Sequence, residues 1–600
     1  MIRIKETEMS KRALIILLCV AMLLPTVLFS CQDTGEDNSE TFGSESDTES
    51  TPTEKETEKE TEMDYEGFVI TKANKDNLKI ICSAEKNSKA YKAAEDLRTH
   101  LKKISGWTFP IVEDVVDSPD MFYIVVGANE ITEGCGYECE SGYPGKESVT
   151  VLQKDNFVFL MGNDDGEYNG TQFAVNLFLE KLGCGWFAEG SLWTVIPKLD
   201  VLDLNIGEIY NNFTPRFSSR TTRVLSATPN LAHRWYQGGD RTLTGHWLYQ
   251  VVPASEYAEH PEWYGLSNGT RDPAGKTYWQ FCYSNKEFAD RIAEEAIEKF
   301  NSSPSLISLT ISANDGWDEN WCECENCKAL GNASDSMVHF ANNVAEKVFA
   351  AHPDRRLQIY SYHYTFTPPV NSVKLHEMVE LMLCRETNMY KPLDEDFMMP
   401  AGRDPVSHIE FTQSWRQNAL EYIEKTQPTH LSIWDWYCIS AEDEGWRSVP
   451  WVQGEVAIRN QKLYEELGAE YVYYDHGPTD GYNEPNTQDT YALRWPLWYV
   501  AAKAAFDGSL DEREILGDAC DKLYGAASEM MLEYYLMLSD ISKECDAYSN
   551  TWIPAKVSEV YPIEKKREIR ALAKEIREKA KTECTTAEQN RIESQLKYWL

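Results

Sequence analysis

The chain has 600 residues, more than a single hydrophobic core usually serves, so several domains are expected. A formal net charge of −39, spread through the body of the chain, argues against nucleic acid and anionic membrane surfaces as partners, since phosphate binding needs Lys/Arg patches. The 18 Trp and 32 Tyr are core-packing residues first, but many fall near strand ends, where sugar sites present aromatic faces.

Residues 1–30 read as an export signal. Lys5, Lys11 and Arg12 precede the apolar run Ala13 to Phe29, which is short and carries Pro25, so a cleaved signal fits better than a transmembrane helix. Leu28-Phe29-Ser30-Cys31 resembles the bacterial lipobox, which implies that Cys31 is lipidated and anchors the protein at the extracellular face of the cell membrane. Residues 31–65 are Ser, Thr, Asp and Glu with almost nothing to bury, and read as a disordered tether.

Residues 66–206 predict a small α/β domain. FVITK, NLKIICS, FYIVVG and NFVFLMG are strand-like. Ala90, Ala94, Leu97, Leu101 and Ile104 fall at helical spacing ahead of Gly106, and NGTQFAVNLFLEKLG predicts a second helix stopped at Gly183. Over residues 207–508 strand-like runs alternate with helices, as in a TIM-like (β/α) barrel. The strands are RFSSRTTRVL, LISLTISAND, RLQIYSYHY, VELMLCRE, THLSIWDWY and AEYVYYDHG; KEFADRIAEEAIEKF and SMVHFANNVAEKVFAAH are helices between them. Residues 509–600 predict a helical C-terminal region, where Ile569, Leu572 and Ile576 form a narrow apolar stripe suited to packing.

Three acids stand where strands are expected to end: Asp315 after LISLTISAN, Asp435 after THLSIW and Asp475 after AEYVYY. Parallel barrel strands converge at their C-terminal ends, where catalytic groups gather. Glycosidic hydrolysis needs two carboxyls, about 5–5.5 Å apart for retention or about 6.5–9.5 Å for inversion. Each acid taken alone can instead cap a helix or loop. Glu386 and Glu319 are reserve carboxylates. His246, Tyr360, His363, Arg385 and His476 lie in or beside strand-end runs as candidate substrate contacts, together with Arg220, Glu386, Trp317, Trp434 and Trp436. Arg385 or Arg220 can bind a carboxylated sugar such as a uronate bidentately, or pair with an Asp of the chain itself.

Fifteen cysteines, less Cys19 in the leader and Cys31, leave an odd thirteen, so a monomer keeps at least one unpaired thiol. Cys322, Cys324 and Cys327 cluster just after Asp315 and are candidate ligands of a structural zinc ion, with His339 or Cys282 as a fourth. A disulfide with a spare thiol, or reduced structural cysteines, are the competing readings. No organic cofactor is implied. There is no H-E-x-x-H helix, no G-x-S-x-G elbow and no P-loop, so metalloprotease, esterase and NTPase chemistry lack local support.

The stretch NFVFLMGNDDGEYNGTQFAVNLFLEKLGCGWFAEG resembles the N-terminal domain that precedes the barrel in family 20 β-hexosaminidases and family 67 α-glucuronidases, with Asn169 and Gly185 standing where those families usually have Tyr and Arg. Gly245-His246, HPEWYGLSNGTR from His260, CYSN from Cys282, NDGWDENWCECENC from Asn314 and NEPN from Asn483 resemble a bacterial group described as domain of unknown function 4838. The resemblance implies a glycosidase-like protein. It points to Asp315 as proton donor, with Trp317, Trp434 and Trp436 as its apolar surroundings, and to Asp435 and Asp475 as acids that orient or activate water. The expected function is hydrolysis of an oligo- or polysaccharide outside the cell; the alternative is a non-catalytic glycan-binding surface lipoprotein.

Overall fold

Alternation of apolar residues shapes the first half of the body. In a computed structural model, which describes residues 67–113, 120–222, 229–274, 279–316, 321–385, 390–397, 402–403, 410–437, 446, 448–475, 488–546 and 555–600, a six-stranded sheet forms first. Its order is Glu208–Phe213, Val149–Lys154, Phe157–Gly162, Phe122–Val126, Leu78–Ile81 and Ile111–Val112. Ile80, Ile124, Val158 and Leu160 point to one face and meet Leu97, Leu101, Phe173 and Phe178 of the helices Lys89–Ser105 and Gly170–Lys181. Their neighbours Ile81, Tyr123, Val125 and Phe159 pack on the opposite face. This is the period-2 split of a sheet with helices on one side. Ser88 caps the first helix by accepting from the Tyr91 amide, and Gly106 ends it in the left-handed region (φ 79°).

The second half is a ring of parallel strands: β1 (Ser219–Thr222), β2 (Arg241–Leu243), β3 (Leu306–Thr310), β4 (Arg356–Ser361), β5 (Val379–Arg385), β6 (His430–Trp436) and β7 (Ala469–Asp475). They pair in the order β1-β7-β6-β5-β4-β3-β2, so the first strand closes on the seventh. The two-residue strand Gly238–Gly239 lies antiparallel to β1 and completes the nearly closed eight-stranded sheet. A side chain at Gly239 (φ 101°) would meet the Ser218 carbonyl at 1.9 Å, so only glycine fits this approach.

The helices α1 (Lys286–Ser302), α2 (Ala333–Ala351), α3 (Trp415–Thr426), α4 (Gly454–Glu466) and α5 (Gln488–Phe506) follow β2, β3, β5, β6 and β7. Strands wrapped this way are buried on both faces, and every residue of β5 is buried. The fold is therefore the TIM-like α/β arrangement read from the alternation. The helices Glu512–Tyr524, Ser528–Lys543, Ile563–Glu583 and Thr586–Leu596 complete the described chain. Ile569, Ala573, Ile576 and Ala580 of the third join the barrel's outer core, the packing role expected of its stripe. Among the described residues no helix is long and apolar enough to cross a membrane.

Candidate functional site

β6 shows how strand geometry sorts the site. Successive side chains of a strand face opposite sides. Trp434 and Trp436 turn into the barrel, in one cluster with Tyr360, Met382, Cys384 and Tyr471. Asp435, between them, turns outward to the helix layer. It is 0 % exposed, accepts from Arg385 Nε, and accepts from the Tyr464 hydroxyl of α4 at 2.7 Å. Burial pushes its carboxyl up and the Arg385 guanidinium opposes that shift. This corrects the expectation for both residues: Asp435 is not a water-activating acid of the pocket, and Arg385, also fully buried, donates to the Trp436 carbonyl and lies over the Tyr437 ring instead of meeting a substrate.

Asp475 ends β7 in register with Trp436, so it faces the interior. Its exposure is 4 %. Asp315 is not on a strand: β3 ends at Thr310, and the acid lies five positions further on a loop. That loop is pinned at Asn314, whose Nδ2 donates to the Trp279 carbonyl (2.6 Å), whose Oδ1 accepts from the Tyr249 amide (3.2 Å) and whose carbonyl accepts from Gln280 Nε2 (2.6 Å). The Asp315 side chain is 34 % exposed and accepts from the Gly316 amide at 3.0 Å. The Tyr362 hydroxyl is 3.5 Å from its Oδ1.

His246 lies beside Asp315. The Tyr360 hydroxyl accepts from the Gly245 amide (2.7 Å) and donates to the Gly245 carbonyl (2.9 Å), fixing the strap after β2. His246 Nδ1 is 2.8 Å from the Ala313 carbonyl, which can only accept, so Nδ1 carries the hydrogen. Nε2 then faces Asp315 Oδ1 at 4.0 Å. Burial lowers the imidazole from its ordinary 6.5, while the charges of Asp315 and Asp475 pull the other way.

The remaining candidates divide by position. Tyr360 is buried, so it positions the His246 strap and does not line a binding surface. His363 stacks on Tyr362 (3.8 Å between centroids), and its Nδ1 is 3.2 Å from the Gly316 carbonyl, bracing the Asp315 loop. Trp434, Trp436 and Tyr362 form a nearly parallel series, with centroids 5.2 and 6.0 Å apart, that runs from the buried barrel interior out to the half-buried Tyr362. Arg220 is corrected: it is buried outside the barrel, paired with Glu147 of the N-terminal domain and donating to the carbonyls of Phe217 (2.6 Å) and Tyr236 (2.9 Å). Trp317, Glu319, Glu386, His476 and Cys31 lie outside the described residues. Tyr362 and Asn314 were missed. Tyr362 had a signal: it stands two places after Tyr360, one residue past β4, on backbone that is still extended.

The cysteines also converge. Cys282, Cys322, Cys324 and Cys327 bring their Sγ atoms within 4.8 Å of one another. His339 is not among them; its Nε2 meets the Asn343 amide at 3.0 Å.

Residues 191–536 match the family model described as Domain of unknown function (DUF4838). The chain belongs to that family. Comparison with the curated proteins gives no match. Among solved structures, this DUF4838 chain is similar to a family 115 4-O-methyl-α-glucuronidase with specificity for decorated arabinogalactans: TM-score 0.51 at 10 % identity, over 89 % of this chain and 72 % of that one. A family 89 glycoside hydrolase from Clostridium perfringens, in complex with GlcNAc-α-1,4-galactose, aligns at TM-score 0.44 and 8 % identity over 85 % of this chain and 62 % of its own. At 10 % identity the likeness to the family 115 enzyme is one of fold, and the fold of this DUF4838 chain is glycosidase-like.

Proposed function

We propose that the chain hydrolyses a glycosidic bond of an extracellular oligo- or polysaccharide, with Asp315 as proton donor and Asp475 as the carboxylate that activates water. The observation that carries this reading is a part-exposed Asp315 on the loop after β3, 4.0 Å from His246 Nε2 and 3.5 Å from the Tyr362 hydroxyl, together with Asp475, which ends β7 facing the barrel interior. Glycoside hydrolysis asks for such a pair, one to protonate the leaving oxygen and one for water or the anomeric carbon. Aromatic faces suit the apolar faces of sugar rings. No organic cofactor takes part, and a metal at the cysteine cluster serves structure. The printed activity of the family 115 neighbour is a reason to include uronates among the substrates tested. The lipobox-like Leu28-Phe29-Ser30-Cys31 supports a lipid anchor, which Cys31→Ala would abolish, as read by incorporation of labelled palmitate.

A panel of aryl-glycosides and glycans tests the reaction. The wild type is expected to turn over at least one member, and Asp315→Asn to lower that rate by about 100- to 10,000-fold, the usual share of a general acid. Full activity of both Asp315→Asn and Asp475→Asn removes the two acids from the mechanism. The withdrawal of Asp435 from the pocket favours a second reading, a glycan-binding lipoprotein without catalysis. Tight glycan binding by a wild type that turns over nothing in the panel decides for it.

A further inference from the structure

Three of the four clustered cysteines are buried, and among the described residues Leu266 is the one apolar side chain packed on them. The chain's other buried cysteines, such as Cys184 and Cys520, sit singly among aliphatic and aromatic residues. Here sulfur meets sulfur: Cys282 Sγ lies 3.7 Å from Cys324 Sγ and 3.9 Å from Cys327 Sγ. A disulfide requires about 2.05 Å. Four thiolates placed about 2.3 Å from a tetrahedral zinc ion stand about 3.8 Å from each other, close to the spacing found.

The surroundings suit negative sulfur. The Cys327 amide donates to Cys324 Sγ (3.4 Å) across the Cys-x-x-Cys turn, and the Leu266 amide donates to Cys322 Sγ (3.3 Å). Ser284 Oγ lies 3.1 Å from Cys327 Sγ and 3.5 Å from Cys282 Sγ. The Arg271 guanidinium interacts with Cys282 and Cys324. A zinc ion with four thiolates carries a net charge of about −2, which donors and a guanidinium in the outer shell offset. A cavity of about 520 Å³, lined in part by Cys322, Cys327, Trp321 and Glu323, opens on the cluster and gives an ion its path.

We propose that Cys282, Cys322, Cys324 and Cys327 form a structural tetrathiolate zinc site that fastens the segment after Asp315 to the strand-like turn at Cys282. Asp315 lies between two anchors: Asn314 on one side and, seven residues on, Cys322. Trp321, next to that anchor, stacks on Tyr283, next to the other ligand, with centroids 4.9 Å apart. The ion holds the far end of the Asp315 loop.

Elemental analysis of the full chain, purified without chelator, is expected to find about one zinc per molecule. Titration with an organomercurial should release that zinc as the four thiols react, a readout that needs no variant. Cobalt exchanged into the protein should show the intense thiolate charge-transfer and visible bands of a tetrahedral tetrathiolate. Cys282→Ser and the milder Cys324→Ser should lose the metal and melt several degrees lower. Stoichiometric iron, a reduced protein with zinc far below one per chain, or the four sulfurs recovered as disulfides each overturn the assignment.

Discussion

Asp435 and Asp475 stand on neighbouring strands one register step apart, yet they face opposite sides of the sheet. Asp435 neutralises a fully buried Arg385, so Asp435→Asn leaves a guanidinium in the core without an anion and should cost about 3–5 kcal/mol, seen as a large fall in melting temperature. Asp315→Asn, on a part-exposed loop, should leave the melt nearly unchanged while turnover falls by about 100- to 10,000-fold. Equal melts for the two variants would contradict this division of roles. Glu512 makes a separate residue-scale point. Burial, with the charges of Glu455 and Asp540, pushes its carboxyl up to about 7 from 4.5, against the opposing Ser539 hydroxyl. The folded value lies above the unfolded one, so the folded state holds the extra proton between them. Stability from this group is full below the unfolded value and is lost as pH rises through the folded one, by about 3 kcal/mol in total. Glu512→Gln should therefore melt well above the wild type at about pH 8 and near it at about pH 4.5. Denaturation curves that stay parallel across that range would refute the shift.

Long elements were readable because their patterns repeat. β3 to β7 announce themselves as short β-branched and aromatic runs, and α1 and α2 by helical spacing. β2 did not, since a three-residue strand set between Gly238-Gly239 and Gly245 offers no period to count. The alternation Trp434-Asp435-Trp436 does say that Asp435 opposes its neighbours. It does not say which face is inside, because a parallel barrel strand is buried on both. Cys282, one of the two fourth ligands named from the sequence, joins the cysteine turn from forty residues upstream; spacing alone did not choose it over His339. The same gap between pattern and contact hides the role of Tyr360, legible as a strand residue but not as the clamp on Gly245. Tyr360→Phe removes two hydrogen bonds at one atom and should ease opening of the strap by about 1–3 kcal/mol. Hydrogen exchange should then speed up at Gly245 and His246 and stay unchanged in β5. Unaltered exchange at Gly245 would mean that the hydroxyl does not hold the strap.

At the scale of the whole molecule, the small α/β domain and the barrel share buried contacts. Tyr236 and Phe506 of the barrel half lie in the core of the first sheet, against Phe173, and Lys503 of α5 pairs with Glu180 at 2.6 Å. Arg220 is the hub of this seam: its guanidinium satisfies the Glu147 carboxylate across the seam and two backbone carbonyls on its own side. Glu147→Gln removes the charge but leaves both carbonyls with their donors, so a cost of about 3 kcal/mol is expected. Arg220→Met strips all three acceptors at once and should cost more. The double variant should lose less than the two singles added, because each single strands a partner that the other removes. A seam made this way ties the fate of the first domain to that of the barrel. Far-ultraviolet circular dichroism and tryptophan fluorescence should melt together in the wild type, and separate in Arg220→Met as the α/β domain loosens first. Two transitions already present in the wild type would show that the shared core does not couple the halves.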